Sequence, residues 1–158
     1  MLPAKLFAGL SAASSICAAL FWLFASRSPE ALASAAHISV GGSVFFAVGP
    51  MLVPLFCALT CANYAVLYFA AVRIFHAKWN HTLSIFHFVL SVCFAVSGSL
   101  VYPLTAHSGS SSADGGAFRS AFLLVLLALF SFATSFLLFA LNLTLIARQI
   151  VRAHFATR

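Results

Sequence analysis

Residues 121–147 read AFLLVLLALFSFATSFLLFALNLTLIA, an apolar run without a single charged side chain. At 1.5 Å of rise per residue, about 20 such residues cross the ~30 Å hydrocarbon core of a bilayer as an α-helix. Three more runs share this character, over residues 6–25, 44–72 and 83–104, and none contains a charge. Membrane β-strands alternate apolar and polar positions over about 10 residues, whereas these runs are continuous. In lipid, a helix satisfies its own backbone polar groups, and so little chain lies outside the runs that a helical bundle is the natural solution. The reading is an all-α integral membrane four-helix bundle, one transmembrane domain over residues 1–158, with helices at about 4–26, 43–75, 82–104 and 118–151.

Composition points the same way. The 158 residues are 63% hydrophobic and only 6% charged. A soluble domain carries about 25% charged residues and could not cover its surface with so few. Soluble enzymes and disordered tails are excluded on that ground. The net charge of +6 comes from basic residues scattered between apolar blocks, with no patch for nucleic acid.

The connecting segments orient the bundle. Lys5, Arg73, Lys78, Arg148, Arg152 and Arg158 fall on one side; Arg27 and Arg119 fall on the other, with both acids, Glu30 and Asp114. The positive-inside rule then puts both termini on the cytoplasmic or matrix side, in a bacterial inner membrane or a mitochondrial inner membrane. Small residues near Ala31-Leu32-Ala33 resemble a signal-peptide cleavage region, but the preceding run is long for a signal core, so the first span is read as a retained helix. Phe21, Trp22, Phe24, Trp79 and Tyr102 sit at the expected interfaces as belt anchors.

Within the second span Gly49, Pro50 and Pro54 predict a kink, because each proline removes a backbone donor. Cys57, Cys61, Tyr64 and Tyr68 step by four, three and four and so share one helix face. Ser84, His87 and Ser91 share a face of the third helix, as do Ser131, Ser135 and Asn142 on the fourth. Small and hydroxyl-bearing residues at this spacing are the usual material of helix–helix contacts in lipid, and these are read as packing positions.

Candidates for chemistry are few. Cys17, Cys57, Cys61 and Cys93 form no Cys-x-x-Cys pair and all fall in spans, where thiols behave as small apolar groups; no metal site is expected. His37, His107, His76, His81 and His154 lie in loops or the tail, leaving His87 as the one histidine inside a span. An intramembrane ionisable residue is a functional candidate by default, so His87 is the position for a haem or pigment contact. A di-histidine haem held within the chain would need a second buried histidine. The glycosylation-like triplets at Asn80 and Asn142 fall on the inner side and inside a helix. No nucleophile–base pair, acidic dyad or phosphate loop is present, so no catalytic activity is expected.

One stretch resembles a known family. Trp79-Asn-His-Thr-Leu-Ser-Ile-Phe-His87-Phe-Val-Leu-Ser91-Val-Cys-Phe94, continuing to Leu100-Val-Tyr-Pro103-Leu104, is similar to a segment of cytochrome c oxidase subunit I. There, too, a short inner loop with an Asn leads into an Ile-His-Phe-containing helix that ends in an aromatic–Pro pair. Upstream, Ala35-Ala-His-Ile-Ser-Val40 and the span to Val72 resemble the preceding helix of that family, so the likeness covers about residues 37–104. The departures matter as much. The family's His-x-His haem ligands would fall near Gly49-Pro50-Met51-Leu52, where there is no histidine, and the helices carrying the copper ligands are lacking. The resemblance implies a degenerate C-terminal fragment of subunit I without the haem-ligand histidines.

The expected function is that of a non-catalytic accessory subunit of a large bioenergetic membrane complex, respiratory and of the oxidase type. Its partners would be other membrane subunits and bound lipids, with no intrinsic cofactor. Two alternatives belong to other classes: an electron-transfer protein with haem or pigment on His87, and a small homo-oligomeric transporter or channel built around the kinked second helix.

Overall fold

The computed structural model describes the backbone of residues 2–27, 36–40, 43–48, 52–76, 78–107 and 115–156, and side chains at 2–23, 53–76, 78–101, 119–152 and 155. The helices are α1 (Leu2–Arg27), α2 (Leu52–Arg73), α3 (His81–His107) and α4 (Gly115–Ala156), with a hairpin of β1 (Ala36–Val40) and β2 (Ser43–Val48) between α1 and α2. All four helices are long and apolar enough to cross a membrane, compatible with an integral membrane four-helix bundle. At 42 residues, α4 is about 63 Å long and overruns a ~30 Å core.

Helices that follow one another in the chain run antiparallel. Ser11 of α1 donates to the Ala58 carbonyl of α2 at 2.8 Å, while Phe7, nearer the start of α1, meets Tyr64 and Tyr68, nearer the end of α2. On the other side of the bundle Asn142 meets Ser84, and Ser135 meets Ser91, so α4 runs against α3. The starts of α1 and α3 and the ends of α2 and α4 therefore share one end of the bundle. The closest backbone approaches are α1 on α2 and α3 on α4. Small side chains permit them: Ala58 and Cys61 in the first pair, Ser84, Ser91, Ser131 and Ser135 in the second. Between the two pairs the gap is wider, and aromatic rings fill it.

Local signals set the element ends. Asn80 caps α3, its side-chain oxygen accepting from the Leu83 amide at 3.2 Å and its carbonyl from the Ser84 amide at 3.0 Å. After α2, His76 takes a left-handed conformation with φ 48° and turns the chain toward that cap.

The second span differs from its sequence reading. Residues 43–48 are a strand, and the helix expected from residue 43 begins at Leu52. Pro54 is thus the third residue of α2, in the first turn, where the missing N–H has no intrahelical partner to lose. It marks the start of a helix rather than a kink within one, and Pro50 lies outside the described residues. The hairpin is antiparallel, with Ala36 opposite Val48, Val40 opposite Ser43 and a bulge between Ile38 and Ser39. An unpaired sheet edge is not tolerated in hydrocarbon, and β1 lies against α3.

Candidate functional site

The interior of the bundle carries its polar groups, and His87 is at their centre. Two turns into α3, its ring is 0% exposed. Rings from all three other helices enclose it: Phe7 of α1 at 4.6 Å between centroids, Tyr64 of α2 at 4.4 Å and Phe139 of α4 at 5.3 Å. The Tyr68 hydroxyl and His87 Nδ1 share a hydrogen bond of 3.0 Å. Whichever of the two carries the shared proton, His87 Nε2 is buried without a partner.

A chain of polar contacts runs from this ring in both directions along the bundle axis. Toward the shared end, Asn142 donates to Ser84 Oγ at 3.1 Å, and Ser84 donates to the Asn80 carbonyl at 2.9 Å. The hydroxyl of Tyr68 faces both Ser84 and Asn142. Asn142 is itself 0% exposed, and its Oδ1 is the second buried polar atom left unpartnered among the described residues. Toward the middle of the bundle, Ser91 donates to the His87 carbonyl at 2.9 Å, Ser135 reaches the same carbonyl at 3.4 Å, and the Ser91 and Ser135 hydroxyls share a hydrogen bond of 2.9 Å. Beyond that pair, the thiols of Cys57 and Cys61 lie 3.8 Å apart on the inner face of α2. Ser131 is buried on the same face of α4.

All nine residues read as packing positions, Cys57, Cys61, Tyr64, Tyr68, Ser84, Ser91, Ser131, Ser135 and Asn142, are buried. Eight of them, Ser131 excepted, join His87 in the contacts given above. Cys17 and Cys93, by contrast, are exposed on the outside.

Two core residues and one half-buried ring packed on them escaped the sequence reading. Phe7 and Phe139 pack directly on His87, and nothing distinguishes them from the other phenylalanines of the chain. Trp79, read as an interfacial anchor, is half-buried and packs against the core. Its ring lies 4.0 Å from that of Tyr68, and its Nε1–H donates to the Tyr68 carbonyl at 3.2 Å. An amphipathic indole suits both settings, so its type alone does not choose between them.

This arrangement bears on the haem or pigment reading of His87. Nε2 is the atom an iron or magnesium would take, yet the four surrounding rings leave no plane open beside it. A cavity of about 10 Å³ adjoins the polar chain, between the Cys57–Cys61 pair and the Ser91–Ser135 pair. That is room for one water molecule. The residues present do not fit a macrocycle without displacement of Phe7 or Phe139. Among the described residues no three His, Cys, Asp or Glu side chains converge as a metal-binding group. No protein-family model, curated protein or solved structure matches the chain.

Proposed function

We propose that this chain is a non-catalytic accessory subunit of a large bioenergetic membrane complex, which braces neighbouring helices and holds lipids. The observation that carries the reading is the direction in which the side chains point. Its intramembrane polar chain is turned inward, while large apolar side chains such as Leu59, Val66, Val89, Leu123, Phe130 and Leu137 face outward. Such a molecule offers neighbours packing surface. The respiratory, oxidase-type assignment rests on the resemblance of the Trp79–Leu104 stretch to oxidase subunit I. By the positive-inside rule, both termini face the cytoplasm or matrix of a bacterial or mitochondrial inner membrane. Mild-detergent purification of the tagged chain tests the proposal: haem-containing membrane subunits should co-purify in fixed proportion. A cofactor-free homo-oligomer as the sole isolated form would overturn it.

The unpartnered Nε2 of His87 favours one rival, a haem or pigment ligated by this ring in an opened bundle. An absorption spectrum of the purified chain separates the two. A Soret or pigment band abolished by His87→Ala supports the rival, and a featureless visible spectrum eliminates it.

A further inference from the structure

At the end of the bundle shared by the start of α1 and the end of α2, a groove of about 390 Å³ opens between the two helices, lined by Ala4, Lys5, Ala8, Ala65, Val66 and Phe69. Small-molecule sites begin at about 300 Å³. Its walls are apolar except for Lys5. A second cation stands one turn beyond Phe69: the Arg73 guanidinium lies 5.9 Å from the centre of the Phe69 ring. The chain's two acidic side chains, Glu30 and Asp114, lie outside the described residues. Among the described residues no acidic side chain is present to neutralise Lys5 and Arg73. An apolar trough with one cation in its wall, and a second over the Phe69 ring that forms part of that wall, calls for an amphiphile with an anionic head. The trough spans only Ala4–Ala8 on one wall and Ala65–Phe69 on the other, each about 6 Å of helix. That is too short to seat a second transmembrane helix, whose contact would run over several turns, but it suits part of an acyl chain.

We infer that the α1–α2 groove is a binding site for an anionic phospholipid, its acyl chain against Ala8, Val66 and Phe69 and its phosphate between Lys5 and Arg73. This deepens the proposed function by specifying the lipid held and where. The test uses native mass spectrometry of the full-length chain, purified alone in detergent, with added phosphatidylglycerol or phosphatidylcholine of identical chains. Phosphatidylglycerol should be retained preferentially. A basic residue at an anionic surface contributes ~1 kcal/mol, so Lys5→Gln and Arg73→Gln should each weaken retention about fivefold. Ala8→Phe, which fills the groove, should reduce occupancy with both charges intact. Lys78→Gln, at the same end but outside the groove, should leave retention unchanged. Equal retention of both lipids, a loss with Lys78→Gln as large as with Lys5→Gln, or full competition by inorganic phosphate would each overturn the site. Because no other subunit is present in the assay, its outcome is independent of the co-purification that tests the accessory role.

Discussion

At residue scale, the interior turns on Tyr68 and His87, which hold one another across the gap between the helix pairs. A buried polar group left without its partner costs about 1–3 kcal/mol, whereas replacing both partners with apolar groups of similar shape is nearly neutral. Tyr68→Phe strips His87 Nδ1 of its 3.0 Å bond while Nε2 is already unpartnered. His87→Phe removes the His87 partner of the Tyr68 hydroxyl instead. Each single variant should lower stability, and the double variant should lose less than the sum of the two. Interhelical hydrogen bonds in membranes couple by about 0.6 kcal/mol on average and about 1.7 at most, which sets the expected size. Reversible unfolding in mixed micelles measures it, and strict additivity would show that the bond is energetically idle. The polar half of this site was legible in the sequence, because a Ser, His or Asn stands out within an apolar span and its three- and four-residue steps mark a face. Phe7 and Phe139 were not legible, since phenylalanine serves equally well against lipid and against another ring.

At the scale of elements, the α2–α3 contact is set by a glycine. A Cβ added at Gly98 would stand 2.7 Å from Val53 Cγ1, a β-branched side chain with little rotamer freedom, in the first turn of α2. Gly98→Ala should therefore destabilise the bundle by about 1–3 kcal/mol, as overpacking does elsewhere. Gly9 offers the contrast, because a Cβ there meets nothing within 4 Å. Gly9→Ala should raise stability by up to about 1 kcal/mol through helix propensity alone. Thermal unfolding of the two variants side by side decides the matter; equal effects would mean that the close approach at Gly98 relaxes without cost. The start of α2 shows how an element is misread. Hydropathy extends the second span back to Val44, since it does not distinguish an apolar strand from an apolar helix. The discriminating signal is local: two short runs rich in β-branched and aromatic residues, Ala36–Val40 and Ser43–Val48, flank Gly41-Gly42, a hairpin pattern.

For the whole molecule, the expected topology has a direct readout. In a cysteine-free background, Lys5→Cys, Lys78→Cys and Arg152→Cys should react with an impermeant maleimide only once the membrane is opened, and Asp114→Cys should react in intact cells or vesicles. Labelling of Lys5→Cys and Lys78→Cys from opposite sides would contradict the antiparallel pairing of α1, α2 and α3. The number of spans and the distribution of charge followed from the sequence by itself, because hydrocarbon imposes the same demand on every residue of a span and that demand is written in composition. Which faces carry polar groups followed from helical spacing. How the faces meet was decided only by the tertiary structure. Small side chains bring α1 close to α2 and α3 close to α4, and the wider space between the pairs must then be filled by large rings. His87 becomes enclosed rather than open, Trp79 packs half-buried on Tyr68, and a groove is left between α1 and α2 beside Lys5. Each of these depends on volumes contributed by separate helices, a quantity that exists only once the helices are side by side.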